Sequence, residues 1–292
     1  MTRLVALVAL FFAASYPASS ATRGLTVVDD TGHPVTLAGN PKKIVSIAPG
    51  ATEMLLAAGA GSRVIATVEF SDEPAEAKRI PRIGDSNAID MERVVALQPD
   101  VVVVWEGGSN VAQVNRLERL NVPLYRHKVE KLGDIPASLR RLGALTGTPD
   151  IAEQAALDVE TRLARLEQRF GRAAVRPSVL LEVWNRPIYT VGGSHMMSDS
   201  LRLCGTRNVF ADLKEQGPSV DTEAVIGRDP QIIVAVAPPG LAIDWLAEWK
   251  RFGTMRAVRD GKLVPFEDQR LSRLGPSAVA GTEALCEALN QK

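Results

Sequence analysis

Two segments of the chain repeat one pattern: IDMERVVALQPDVVVV at residues 89–104 and VDTEAVIGRDPQIIVA at residues 220–235. Asp90 corresponds to Asp221 and Glu92 to Glu223, both at an offset of 131 residues (221 − 90 and 223 − 92). Each copy predicts a short helix, a break at a proline, and an apolar β-branched run that suits a strand buried on both faces of a parallel sheet. A unit used twice indicates two similarly built lobes, and a cleft between lobes is a common place for a small ligand.

The rest of the chain agrees with two lobes. At 292 residues it is long enough for two domains, and strand-like runs alternate with helical ones on both sides of a helical stretch at residues 135–170. We therefore predict an α/β fold in which two Rossmann-like lobes with central parallel sheets are joined by one long rigid helix, with the ligand cleft between the lobes. The predicted boundaries are 22–134 for the first lobe, 135–174 for the connecting helices and 175–292 for the second lobe.

The first 21 residues predict a cleaved signal peptide. Arg3 supplies a positive charge, residues 4–14 form an apolar run that is too short to cross a bilayer, and Ser19 and Ala21 are small residues suited to cleavage. The alternative is an N-terminal core helix. No cysteine follows the apolar run directly, so we expect no lipid anchor and a mature protein that diffuses freely in an exported compartment.

The chain has two cysteines, Cys204 and Cys286. In an oxidising compartment an even pair favours a disulfide. The alternative is two buried thiols, because free cysteine behaves as a small hydrophobic residue.

Composition and motifs argue against several function classes. The formal net charge is +0, so the chain has no excess of positive charge with which to bind nucleic acid. The three histidines, His33, His127 and His195, lie far apart in sequence, so we predict no metal site. No nucleophile elbow or acid–base constellation is evident, which disfavours an exported α/β enzyme.

Two groups of side chains remain as candidates for binding. Glu92 and Glu223 have two possible roles. They serve only as acidic residues in the first turn of a helix, or they lie as exposed carboxylates on each lobe and bind a basic partner. Phe70, Trp105 and Tyr189 each follow or end a predicted strand, where cleft-lining loops begin, although core packing is the alternative. Two arginines near the C-terminus face either solvent or a ligand: Arg270 and Arg273.

Several motifs together resemble one known family. The chain is similar to the helical-backbone class of periplasmic substrate-binding proteins, and within it to the cobalamin-binding proteins of bacterial ABC importers. The resemblance spans about residues 41–290. It is carried by Ile44-Val45-Ser46 with Pro49, Thr52 and Glu53, by the run 91–100, by Trp105-Glu106-Gly107-Gly108, by Cys204-Gly205, by Asn208-Val209-Phe210 and by Leu285-Cys286.

The resemblance implies roles for particular residues. It implies that Glu92 and Glu223 dock onto arginines of a membrane permease and that Cys204 and Cys286 form a disulfide. It also implies that the ligand cleft is lined by Gly50, Phe70, Trp105, Tyr189 and Arg273. Ser86 and Gly217 stand at two further ligand-contacting positions, where the cobalamin-binding family has tryptophans.

The function that follows is capture of cobalamin or a related corrinoid in the periplasm and its delivery to an ABC importer permease. We expect a monomer with no catalytic residues, no cofactor and no metal ion of its own. The alternative within the class is a ferric-siderophore or haem receptor, in which arginines would pair with carboxylates or an anionic iron chelate. Those arginines would be Arg186, Arg270 and Arg273.

Overall fold

Short strands and helices alternate along both halves of the chain. The computed structural model describes residues 24–85, 88–172 and 174–290. The first half contains, in order, β1 Leu25–Val28, β2 Pro34–Leu37, β3 Ile44–Ser46, α1 Pro49–Ala57, β4 Val64–Ala66, α2 Met91–Ala96, β5 Val101–Trp105, α3 Val111–Arg119 and β6 Leu124–His127. The helices α4 Ile135–Thr146 and α5 Pro149–Arg169 follow. The second half contains β7 Ser178–Glu182, β8 Trp184–Asn185, β9 Ile188–Tyr189, α6 Met196–Leu203, β10 Arg207–Asn208, β11 Ser219–Val220, α7 Thr222–Arg228, β12 Ile232–Val236, α8 Leu241–Trp249, α9 Arg256–Arg259, β13 Leu263–Phe266 and α10 Ser277–Asn290.

Each half builds one four-stranded parallel sheet. The strand order is β4-β3-β5-β6 in the first sheet and β10-β7-β12-β13 in the second, and every neighbouring pair in both sheets runs parallel. The strands β8, β9 and β11 form a separate antiparallel ribbon, and β1 and β2 form a hairpin. The predicted α/β class with two parallel sheets is confirmed.

The repeated segments have the same local structure. α2 leads into β5, and α7 leads into β12, which is the corresponding inner strand of the other sheet. Asp90 and Asp221 each cap their helix by accepting a hydrogen bond from the backbone N–H three residues on, at 2.9 and 2.7 Å. Gln98 and Asp229, which share the 131-residue offset (229 − 98), both have positive φ, 49° and 42°, before the repeated proline. The repeat therefore preserves the cap, the turn and the strand.

A single apolar core joins the two lobes through α5. Alternate residues of the inner strands point to opposite faces, so Val101 and Val234 lie in the shared core while Val102 and Ile233 pack on the outer faces of their own sheets. α5 contributes Ala152, Ala156, Val159 and Leu166 to the same shared core. The lobes thus meet through packed side chains rather than through an open linker.

The long helix is held on both sides by ion pairs. α5 has 21 residues and is about 30 Å long. Arg140 of α4 pairs with Glu153 at 2.7 Å, and Arg162 forms a two-pronged pair with Glu283 of α10, at 3.1 and 2.9 Å. These contacts fix α5 against both its neighbour and the second lobe, as a stiff connection requires.

The predicted signal peptide, residues 1–21, lies outside the described residues. Within the residues that the structure does describe, no helix has the length and apolarity needed to cross a membrane.

Candidate ligand-binding site

Four strand ends of the first sheet meet at one edge. β3 leads into Gly50 at the start of α1, β4 leads into the loop with Phe70, β5 ends at Trp105 and β6 ends at His127. Because the carboxyl ends of parallel strands lie on the same side of a sheet, these residues come together although they are far apart in sequence. All four line one cavity of ≈ 480 Å³.

The opposite wall of this first cavity comes from the second lobe. It is formed by the segment between β13 and α10, with Gln269, Ser272, Arg273 and Leu274. Phe70 is 76% exposed, so most of its ring is free to meet a ligand. Trp105 is half-buried and packs against the shared core. The predicted residues Gly50, Phe70, Trp105 and Arg273 are therefore brought together in a cleft between the lobes.

Gly50 lets the two lobes approach closely. A Cβ atom at this position would lie 2.9 Å from the carbonyl oxygen of Leu274 and 3.0 Å from its Cβ. A larger residue would push the segment of the second lobe away, so glycine is needed for the backbone to come this near.

A second cavity of ≈ 400 Å³ adjoins the first, because Trp105 and Leu274 line both. Its other walls come from loops after β5 and β6 and from the second lobe, where His195, Met196, Gln216 and Gly217 contribute. A Cβ atom at Gly217 would meet no atom within 4 Å. The absence of a large side chain at Gly217 therefore leaves open space in the cleft.

Arg273 ties the two lobes together at the mouth of the first cavity. Its guanidinium donates to the backbone oxygen of Phe70 at 2.5 Å and to the carboxylate of Asp72, both on the loop after β4. The backbone of Phe70 has φ 64°, in the left-handed region. The arginine thus holds the loop that presents the exposed phenyl ring.

Comparison with known proteins identifies the family of the chain. A model of the periplasmic binding protein family matches residues 44–268. The chain belongs to the periplasmic binding protein family. It is 31% identical over 250 residues to the vitamin B12-binding protein of Pectobacterium carotovorum subsp. carotovorum (strain PC1), covering 85% of this chain and 88% of that one. The resemblance seen in the sequence is thus confirmed.

Solved structures share the same fold. The periplasmic vitamin B12 binding protein BtuF of Vibrio cholerae has a TM-score of 0.78 at 27% identity, with 85% of this chain and 96% of that chain covered. A periplasmic heme binding protein from Pseudomonas aeruginosa has a TM-score of 0.73 at 26% identity, with 85% and 92% covered. The fold of this chain is therefore shared by solved proteins that are named for binding vitamin B12 and heme.

One of the predicted ligand contacts that the structure describes does not line either cavity. Tyr189 is 39% exposed and lines neither cavity of the binding protein. It ends β9, a strand of the antiparallel ribbon, to which the carboxyl-edge rule for parallel sheets does not apply. The hydrogen bond from the Thr190 N–H to the Pro218 oxygen, at 3.0 Å, keeps Tyr189 close to the backbone next to Gly217. Ser86 lies outside the described residues.

The three arginines of the siderophore or haem alternative all have acidic partners within the binding protein. Arg186 pairs with Glu248 at 2.6 Å and Arg270 with Asp268 at 2.6 Å, while Arg273 pairs with Asp72. Their positive charge is therefore largely balanced before any ligand arrives.

Two further contacts join the lobes and were not predicted from the sequence. Glu53 of α1 accepts hydrogen bonds from the backbone N–H of Ser277, at the start of α10, and from its hydroxyl at 2.7 Å. Burial raises the pKa of Glu53, against the Ser277 hydrogen bonds and the charge of Arg273, which lower it. His127 Nε2 lies 3.3 Å from the Leu274 oxygen. The position of His127 at the carboxyl end of a strand of the first sheet could have predicted that it lies at the cleft.

His127 is also anchored from behind. Its Nδ1 lies 3.0 Å from Asp30 Oδ2, and the Ser138 hydroxyl donates to the same oxygen at 2.6 Å. Burial by itself raises the pKa of Asp30, but the hydrogen bond and the charge of His127 outweigh it and lower the pKa overall. The imidazole is therefore held in one orientation on the cleft wall.

The repeated glutamates are presented to solvent. Glu92 and Glu223 lie in the first turns of α2 and α7, and both are exposed. Within the part of the chain that the structure describes, neither carboxylate has a hydrogen bond or ion pair. Helix capping is accomplished by the preceding aspartates, so the two glutamates are free to contact a partner.

The predicted disulfide is present between Cys204, directly after α6, and Cys286 in α10. It links two elements that pack side by side in the second lobe. Among the described residues, no three His, Cys, Asp or Glu side chains are grouped as they would be around a metal ion.

Proposed function

We propose that the chain is the exported substrate-binding protein of an ABC importer and that it captures cobalamin or a related corrinoid for delivery to the permease. The observation that carries the proposal is the cleft between the lobes, with Phe70 and Trp105 on one side and Arg273 and Leu274 on the other. The named relatives of the chain, which bind vitamin B12, support the same ligand.

The cleft suits a large, flat ligand with a polar rim. The exposed ring of Phe70 and the half-buried ring of Trp105 offer apolar surface for stacking, and stacked or buried rings contribute roughly 1–3 kcal/mol each. The adjoining second cavity, with open space at Gly217, gives room for the bulk of such a ligand beyond the first cavity. No step of covalent chemistry is assigned to any of these residues.

The arrangement of charge favours a neutral-rimmed corrinoid over an anionic iron chelate. Each arginine that an anionic ligand would need already has a carboxylate partner in the chain. A ligand that binds through ring stacking and amide hydrogen bonds does not require those ion pairs to break, whereas a carboxylate-bearing ligand would compete with Asp72 for Arg273.

Delivery is assigned to Glu92 and Glu223. The two carboxylates are exposed at equivalent places on the two lobes and have no partner among the described residues. A permease with two basic pockets at matching separation would engage both lobes at once. We assign the protein to the periplasm, with residues 1–21 removed on export, and we expect it to act as a monomer.

Calorimetric titration of the mature protein tests the ligand. Cobalamin, cobinamide, haem and a ferric siderophore are titrated under one set of conditions, and the heat of binding is measured for each. The proposal expects saturable binding of cobalamin or cobinamide that exceeds binding of the other two. Saturable binding of haem or the siderophore with no heat from either corrinoid would contradict the corrinoid assignment and support the alternative.

A further inference from the structure

His195 lines the cleft but has no part in the proposed stacking of aromatic rings on the ligand. It lines the second cavity together with Trp105, Gln216 and Gly217. It is also the residue before α6, with extended backbone (φ −73°, ψ 143°). The side chain therefore belongs at once to a helix terminus and to the wall of the proposed ligand site.

The hydrogen bond at the helix terminus determines which ring nitrogen carries the proton. His195 Nδ1 accepts a hydrogen bond from the backbone N–H of Met197 at 3.1 Å. An accepting nitrogen has no proton of its own, so a neutral imidazole in this position carries its proton on Nε2. Burial also lowers the pKa of His195 to about 4, which keeps the ring neutral at physiological pH.

The other ring nitrogen is available to a ligand. Among the described residues, the side chain of His195 has no hydrogen-bond partner besides the Met197 N–H. Nε2 is not among the buried side-chain atoms that lack a hydrogen-bond partner, so this nitrogen remains in contact with solvent. His195 lines the second cavity, and its Nε2–H donor is left to water or to a bound molecule.

We infer that His195 is a specificity-determining residue of the cleft, which donates one hydrogen bond from Nε2–H to an acceptor oxygen on the rim of the ligand and does not coordinate its metal centre. Coordination would need the lone pair of Nε2, and hence a proton on Nδ1, where it would face the Met197 N–H donor. The inference rests on the proposed function, because it assumes that the ligand enters this cleft. It favours ligands with amide or carboxylate oxygens at this place over ligands that need an axial imidazole.

Two substitutions separate the donor from the helix cap. In His195→Asn the side-chain oxygen can still accept from Met197, because asparagine is a good N-cap residue, but no donor reaches the position of Nε2. In His195→Gln the longer amide can supply an N–H near that position, while the cap is weakened. We expect His195→Asn to weaken cobalamin affinity roughly threefold to tenfold without a marked loss of thermal stability. His195→Gln should bind within about twofold of the original protein although it melts at a lower temperature.

The proposal is overturned if His195→Asn binds cobalamin as tightly as the original protein, or if both variants lose affinity equally, since that would indicate a packing role. A second measurement does not depend on the ligand: nitrogen-15 NMR of the ligand-free protein should show a protonated Nε2 and an unprotonated Nδ1. If the original protein fails to bind cobalamin, the proposed function is contradicted. The NMR measurement tests the donor separately from the function: a proton on Nδ1 overturns the inference whether or not cobalamin binds, and a proton on Nε2 supports the assignment of Nε2 as the donor nitrogen.

Discussion

Replacing Glu182 by glutamine should stabilise the protein at alkaline pH. Glu182 ends β7 and is 2% exposed, and its Oε2 accepts a hydrogen bond from Trp249 Nε1 at 2.8 Å. Burial raises the pKa of Glu182 from 4.5 to about 7; the Trp249 hydrogen bond opposes the shift and the charge of Glu248 adds to it. Glutamine keeps an oxygen that can accept from Trp249 but has no proton to lose.

The size and sign of the effect follow from this pKa. The rise from 4.5 to about 7 corresponds to about 3 kcal/mol, at about 1.4 kcal/mol for each tenfold change in proton affinity. Glu182 holds its proton more tightly in the folded protein than in the unfolded chain. Its contribution to the free energy of unfolding is therefore fully present below pH 4.5 and is lost as the pH rises through about 7. Above that range the original protein must fold with a buried carboxylate, and the variant does not.

Urea denaturation at two pH values measures the difference. At a pH of about 8 the free energy of unfolding of Glu182→Gln should exceed that of the original protein by up to about 3 kcal/mol, and at a pH of about 4.5 the two should be nearly equal. Glu223→Gln is the matched control. Glu182 and Glu223 line one surface cavity of the second lobe, but Glu223 is exposed, so no pH-dependent difference is expected. An equal stability difference at both pH values, or none at the higher one, would refute the role of the buried carboxylate.

Three further predictions concern the disulfide, docking and ligand stacking. Replacing Cys204 and Cys286 by serine opens a bridge with a sequence separation of 82 residues, and the free energy of unfolding in urea should fall by roughly 4–5 kcal/mol; a loss below about 1 kcal/mol would show that the constraint on the unfolded chain is unimportant. Glu92→Ala combined with Glu223→Ala should leave calorimetric affinity for cobalamin unchanged and abolish uptake in cells, and normal uptake would exclude a docking role. Trp105→Ala should weaken cobalamin binding by about tenfold to a hundredfold, and an unchanged dissociation constant would place the ligand elsewhere.

One wall of the cleft could be predicted from the order of strands along the chain. Gly50, Phe70 and Trp105 follow or end strands of the first sheet, and the carboxyl ends of parallel strands share an edge. The same rule includes His127, which the sequence analysis set aside because it lies far from the other histidines in sequence. Tyr189 marks the limit of the rule, because its strand belongs to an antiparallel ribbon that a short apolar run does not distinguish from a parallel strand.

The opposite wall could not be predicted from the residues alone. Arg273 was singled out by a resemblance, but its contacts with Phe70 and Asp72 join atoms of residues 203 and 201 positions apart. The contact of Glu53 with Ser277 spans 224 positions. His195 carried no signal for its role, because the direction of its Nε2 depends on the cap at α6 and on which loop of the first lobe faces it.

The sequence by itself determined the elements of this protein: two parallel sheets, the repeated helix–turn–strand unit and the long helix between them. These follow from local causes, because the spacing of apolar residues selects a buried strand or an amphipathic helix, and aspartate and proline place the helix start and the turn. The tertiary structure alone decided which side chains meet across the cleft. That outcome depends on how the shared core around α5 orients one lobe against the other, and packing between distant segments leaves no periodic trace in the sequence.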